Sequence, residues 1–222
     1  MIADISQYFT SSKDFLITVG EIVGAVGIGV GIGVIGAIKK RNISLKWCSK
    51  KNKMFVDKHS HIHEMLTELR LVLRASRCLI FQFHNGGVFS DGSSIKRFSV
   101  THESCGNGVS SMILDSQDVL ITRYVDLIQN MDHSSDKILS VTNLQPSSFR
   151  SGLEINNVCC YSISPLRSVD GVMPIGFVCC HWCSLEQLDE IYAEGVSEES
   201  LKELIKNSAN NINSLLLMAS SK

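Results

Sequence analysis

Cys159–Cys183 reads CCYSISPLRSVDGVMPIGFVCCHWC. Two apolar runs, Asn157–Pro165 and Pro174–Cys183, flank Val169-Asp170-Gly171. β-Branched and aromatic residues on either side of an Asp-Gly turn signal predict two strands joined as a hairpin. Just beyond it, Ser184-Leu185-Glu186-Gln187 is a capping-box pattern that opens a helix. A last helix is predicted over Glu198–Ala219, with Leu201, Leu204, Ile205, Ile212, Leu215 and Leu216 on one side.

Upstream, Cys78–Phe83 (CLIFQF) is strand-like and His84-Asn85-Gly86-Gly87 supplies a turn signal. A second turn is expected at Ser90-Asp91-Gly92. Lys96–Glu103 (KRFSVTHE) alternates as the next strand, with Phe98, Val100 and His102 facing one way and Arg97, Ser99 and Thr101 the other. Gly106-Asn107-Gly108 ends it, Ser110–Asn130 is read as mostly helical, and Lys137–Asn143 as a short strand. Ahead of these lies a predicted helix, Phe55–Arg77, on which Ile62, Leu66, Leu69 and Leu73 recur at helical spacing. That stripe either packs on its own domain, the commoner outcome, or pairs with itself in a dimer.

Phe15–Ile38 (FLITVGEIVGAVGIGVGIGVIGAI) has 24 residues with one charge, Glu21. As a helix it reaches roughly 36 Å, enough to cross a hydrocarbon core. It contains Gly20, Gly24, Gly27 and Gly31 on one stripe and Gly29, Gly33 and Gly36 on the opposite one. Each glycine would cost about 1 kcal/mol in a helix in water, whereas in lipid glycine lets helix backbones approach closely. A single transmembrane helix is therefore expected. Its glycine faces either pack against neighbouring copies in a homo-oligomer or belong to a single anchor with no assembly role.

Lys39, Lys40, Arg41, Lys46, Lys50, Lys51 and Lys53 follow the span before the next acid, Asp57. This bias places the C-terminal domain in the cytoplasm, and the same cluster can hold anionic headgroups of the lipid bilayer. The expected organisation is a short polar N-terminus (1–14), a membrane helix (15–38), a basic juxtamembrane segment with a linker helix (39–77) and an α/β domain of α+β type (78–222). Formal charge is −1 over 222 residues, which gives no case for nucleic acid as a partner. The eight cysteines lack the spacing of a secreted disulfide framework, and a reducing compartment is favoured.

Few residues suggest chemistry. His59 and His63, in HSHIH, share a helix face at a spacing that can hold a metal, but HExxH is absent and lysines crowd the segment. A polar, pH-sensitive helix face is the favoured reading, and no metal is expected. Cys180 and Cys183 form a CxxC whose members point to opposite faces of a strand. Pairs of Cys159 or Cys160 with Cys179 or Cys180 remain geometrically open, against buried free thiols as the default. There is no nucleophile elbow, phosphate loop or paired metal-binding carboxylates, so no enzymatic activity and no cofactor are expected. Phe83, His84, Phe98 and His102 are the candidate border of a ligand pocket, the alternative being that His84 and Asn85 serve only the turn.

The order helix, two strands, helix, strand, hairpin, helix resembles a GAF- or PAS-like domain. LIFQFHNGG, KRFSVTHE with its Gly-Asn-Gly exit, and the late hairpin carry that resemblance, over roughly Cys78–Leu188. It implies an antiparallel sheet with flanking helices and a sensory or interaction role, with a small ligand or a regulatory protein as partner. The layout of short N-terminus, one span, linker helix and α/β sensory domain also resembles the T-type holins of tailed phages. In that family the soluble domain is periplasmic, whereas the lysines here argue for the cytoplasm. The HNGG and THE segments are similar to phage proteins carrying this domain type. The resemblance implies a lysis-timing protein in a bacterial inner membrane. A phage virion or membrane-remodelling protein, whose glycine-rich segment inserts during assembly or entry, is the alternative.

Overall fold

The computed structural model describes residues 53–88, 90, 92, 94–132 and 135–218. The span 15–38 with its seven glycines lies outside them, as does the basic cluster except for Lys53, which is exposed. Among the described residues no helix is long and apolar enough to cross a membrane. One compact unit runs over Asp57–Lys222.

Its frame is a six-stranded antiparallel sheet: β1 (Arg77–Val88), β2 (Ser94–Cys105), β3 (Val119–Leu120), β4 (Leu139–Ser140), β5 (Cys160–Arg167) and β6 (Pro174–Trp182), in the order β3-β2-β1-β6-β5-β4. The predicted late hairpin is present, with Cys160 opposite Trp182 and Arg167 opposite Pro174. Strand β6 also pairs along its other edge with β1, placing Cys78 opposite Cys180 and Gln82 opposite Gly176. A Cβ at Gly176 would lie 2.1 Å from the Phe81 carbonyl oxygen, so only glycine fits at this backbone crossing.

One face of the sheet is sealed by three helices: α1 (residues 53–72), α4 (Glu186–Ala193) and α5 (Glu198–Leu217). The stripe Ile62, Leu66, Leu69 and Leu73 is 0–2% exposed and packs with Leu201, Ile205 and Ile212 over Cys78, Ile80, Val178 and Trp182. This helix is therefore part of the domain's own core, and its stripe is not left for a second copy. Trp182 Nε1 donates to the Leu73 carbonyl at 3.0 Å and fixes the helix end. The other face holds a second core of Leu79, Phe81, Phe98, Val100, Tyr161 and Phe177 under the short helices α2 (Val125–Asn130) and α3 (Ser148–Ile155).

Three local expectations are corrected. His84–Gly87 does not turn: β1 continues through Val88, with a bulge between Asn85 and Val88 where Gly87 adopts φ +119. Ser110–Asn130 is helical only over its last residues. Residues 110–118 are loop and turn, β3 adds Val119–Leu120 to the sheet edge, and a 3-10 turn spans Ile121–Tyr124. The Gln117 amide donates to the Val100 carbonyl at 2.8 Å and Asp118 has φ 54, which tie this segment to β2 and break a helical path. Finally, Lys137–Asn143 contributes just two strand residues before a 3-10 turn.

Candidate functional site

The alternation of β2 does not survive as a single face. His102 pairs with Ile80 but Val100 pairs with Phe81, so Thr101 is an extra residue on β2. That bulge turns His102 to the helix-packed face while Phe98 and Val100 stay on the aromatic one. Phe83 and Phe98 meet edge-on there, ring centroids 6.5 Å apart. His84, even-numbered on β1 like Ile80, lies on the opposite face, where its Nε2 is 2.9 Å from Ser99 Oγ. Phe83 and Phe98 are thus gathered at one face, and His84 and His102 are set apart from them on the other.

His84 shows no relay, while both ring nitrogens of His102 are engaged, its Nδ1 lying 3.0 Å from Thr101 Oγ1. His84 Nε2 meets both Ser99 Oγ at 2.9 Å and Asp118 Oδ1 at 3.7 Å, so no second ring nitrogen joins base to orienting carboxylate. His102 Nε2 lies 2.8 Å from His59 Nδ1, the rings stacked at 5.0 Å. Burial, reinforced by the charges of His59, His63 and Lys58, pushes His102 down to about 4. His61 faces Glu64 at 3.5 Å. Among the described residues no group of three metal-ligating side chains forms.

The cysteines outside residues 1–52 are free. The β5–β6 register sets Cys160 against Trp182 and Cys179 against Ile163, which excludes the cross-hairpin pairs. The close thiols are Cys78 and Cys180, 3.3 Å apart across β1 and β6 and fully buried. Burial raises the Cys78 thiol well above its ordinary range, consistent with an inert pair of small apolar side chains.

The aromatic face is where space and unmatched polarity coincide. Phe81 stacks on Phe177 at 4.6 Å, Phe98 meets Tyr124 edge-on at 5.4 Å, and Phe149 meets Tyr161 edge-on at 5.2 Å. Beneath α2 and α3, Phe81, Phe98, Tyr124, Phe149 and Phe177 line a cavity of about 70 Å³ together with Asp115, Ser116, Cys179 and His181. His181 is 2% exposed, and its Nε2 lies 3.1 Å from Cys179 Sγ while its Nδ1 has no hydrogen-bond partner. Burial and then the Arg77 charge hold His181 down at about 3, so it is a neutral imidazole.

Arg77, paired with His181 across the strands, is 1% exposed. Its NH2 group donates to the Ser110 carbonyl at 2.5 Å, and its Nε, 3.6 Å from Glu103 Oε1, has no hydrogen-bond partner. Such orphaned buried atoms are few in folded proteins, and two on neighbouring residues mark one end of this face.

Beside the cavity opens a cleft of about 490 Å³. Tyr161 and Phe149 form its aromatic floor, Leu139 and Leu144 its apolar sides, and Asp126, Lys137, Asn143 and Gln145 its polar rim. Burial raises the Tyr161 phenol to about 12, so the hydroxyl keeps its proton at neutral pH. None of the cleft residues carries a motif. They come from α2, α3, β4, β5 and the segments around β4, and only the fold brings them together. His181 had a weak signal, a histidine inside the apolar run FVCCHWC.

No protein-family model and no curated protein sequence matches the chain. Solved structures do. A far-red cyanobacteriochrome photoreceptor is similar with a TM-score of 0.53 at 12% identity, over 81% of this chain and 96% of that one. The red-light-absorbing state of a red/green cyanobacteriochrome gives 0.50 at 16%, over 74% and 96%. The blue-light-absorbing form of the PixJ GAF domain of Thermosynechococcus elongatus gives 0.46 at 12%, over 76% and 92%. At these identities the likeness concerns the fold, and the antiparallel sheet with its helical and aromatic faces is GAF-like.

Proposed function

We propose that this chain is a non-enzymatic, membrane-anchored sensory protein whose GAF-like domain takes a small ligand in the cleft over Tyr161 and Phe149. One observation carries the reading: the cleft of about 490 Å³ has an aromatic floor and a rim of opposite charges, Asp126 and Lys137. Pockets for small ligands are commonly 300–1,000 Å³, apolar with a few convergent polar groups. The inner cavity of about 70 Å³ is too small for such a molecule and suits about two waters. Similar solved structures are photoreceptors, which accords with a sensory use of this fold. The glycine-rich stretch 15–38 supplies the anchor, and the lysines after it place the domain in the cytoplasm.

In the most concrete form of this reading, the spans associate through their glycine faces as in a holin, and the domain's ligand or a regulatory protein delays that association. This form, and with it a phage origin, rests on the sequence of the span and the layout alone. Expression that kills cells and is blocked by Gly27→Leu would support it, and harmless accumulation in membranes would sink it. Presence in purified phage particles would instead favour the virion reading.

The ligand proposal is tested by purifying the full chain in detergent, denaturing it and analysing released small molecules by mass spectrometry. Asn143→Trp fills the cleft from an exposed position and serves as comparison. A compound released by the natural chain and absent from the variant is the expected result. Equal release from both, or none from either at full loading with host extract, overturns it.

A further inference from the structure

The end of the sheet where both hairpins turn carries exposed apolar side chains on a turn that bonds most of its own N–H groups. Between β5 and β6, Ser168 N–H donates to the Met173 carbonyl and Gly171 N–H to the Ser168 carbonyl, both at 2.8 Å. Val172 N–H donates to Asp170 Oδ1 at 3.2 Å and Met173 N–H to Ser168 Oγ at 3.0 Å. Gly171, at φ +73, closes the turn. With these donors occupied, Val169, Val172 and Met173 point outward at 85%, 71% and 64% exposure. Val88, 70% exposed, lies at the tip of the β1–β2 hairpin. The antiparallel register of β1 with β6 puts both tips at the same end of the sheet.

That end is also where the chain enters the domain. Lys58, near the start of α1, donates to the Leu216 carbonyl at 3.1 Å, and Asn213 of α5 donates to the Arg167 carbonyl at 2.9 Å. The opposite end is acidic, with Glu186, Asp189 and Glu190 on α4, Glu194 at its C-cap, and Glu198 and Glu199 in the first turn of α5. Arg74 meets Glu190 and Glu194 there. The hairpin end is balanced: Lys58, Lys96, Arg97 and Arg167 stand against Asp57, Asp118, Asp132 and Asp170.

We propose that the Ser168–Met173 tip docks on the lipid bilayer, with Val169, Val172 and Met173 entering the boundary between headgroups and acyl chains. The inference rests on the membrane-anchored reading. Fourteen residues, 39–52, separate the predicted span from the first described residue. Fully extended they reach at most roughly 50 Å, which holds the domain at high effective concentration near the surface. Four of the turn's six N–H groups are already bonded, so on leaving water it gives up fewer hydrogen bonds than an open loop would. Docking at this end directs the acidic pole away from anionic lipid.

The test uses the full chain reconstituted into vesicles of phosphatidylcholine and phosphatidylglycerol, with or without brominated phosphatidylcholine as quencher. In a Trp47→Phe background, Val172→Trp reports the tip, and Ile155→Trp, at an 80% exposed apolar position beyond the other end of the sheet, is the control. Trp182, fully buried, gives a constant signal. Emission lost to brominated lipid for Val172→Trp but not for Ile155→Trp is expected, and Val169→Asp with Met173→Asp should restore it. Retention of the vesicles' protein through an alkaline wash reads the anchor separately. A retained chain with an unquenched Val172→Trp overturns the docking and leaves the anchor standing. Quenching at both positions, or a blue shift without quenching because protein covers the tip, also overturns it. A chain washed off the vesicles removes the anchor and the docking together.

Discussion

The two faces of the sheet are built from different materials. The helix-packed face joins long, regular elements through aliphatic side chains: Ile62, Leu66, Ile205 and Ile212 interlock with Ile80 and Val178. The opposite face is roofed by helices of six and eight residues and by loops, and it is packed with rings. The first is filled. The second leaves a cavity and a cleft. Buried polar atoms without a partner occur on both faces, Ser162 Oγ and Asn213 Oδ1 on the first, His181 Nδ1 and Arg77 Nε on the second. Aliphatic ridges on long helices can settle into a close fit along their length, whereas rings held by short segments touch edge-on and leave gaps between them. The close-packed aliphatic core and the open cleft therefore lie on opposite sides of the same strands.

The largest expected effect breaks this comparison most directly. Leu66→Ala, in the filled face, should lower unfolding free energy by about 2–5 kcal/mol, and Phe149→Ala, at the half-buried roof of the other face, by clearly less. Urea unfolding of both variants gives the answer, and equal losses would mean the two faces are not differently packed.

An intermediate effect comes from the buried histidines. His102 and His181 titrate at about 4 and about 3 in the folded chain, below the ordinary 6.5. The unfolded state then binds more protons as pH falls below 6.5. Stability should drop across that window by up to about 1.4 kcal/mol per pH unit for each histidine, and be fully present above it. Denaturant midpoints at pH 7, 6 and 5 measure the slope. His102→Gln should remove one histidine's share, and an unchanged slope would place His102 in a solvated site.

The smallest effect sharpens the comparison. Asn143→Trp, on the cleft's exposed rim, should leave stability within about 0.5 kcal/mol while closing the cleft. A large loss of stability would show that the cleft is a packing element and not a vacant recognition surface.

How far the sequence could be read follows the same division. The late hairpin, the strand CLIFQF and the stripes of α1 and α5 were legible because period and turn chemistry agree with burial there. On the aromatic face they disagree. The bulge at Thr101 has no marker in KRFSVTHE, and it moved His102 across the sheet. The glycines of HNGG read as a turn but serve a bulge in a continuing strand. Helix α3 did have a signal, Ser147 accepting from the Arg150 N–H at 3.2 Å as an N-cap, but eight residues give too few periods to stand out. Residues 110–118 carry apolar side chains at helix-compatible spacing, yet Met112 and Ile113 pack on the sheet from a loop held by Glu103 and Gln117.

Helix α1 has a mechanical consequence as well. It is bonded to the domain at Lys58 near one end and, through Trp182, at Leu73 at the other, with the buried stripe between. A pull applied at Asp57 along the helix axis would load those contacts together, in shear, instead of peeling them one after another. Force arriving at Asp57 would therefore be borne by the filled face as a whole, and would reach the aromatic face only through the strands that the two faces share.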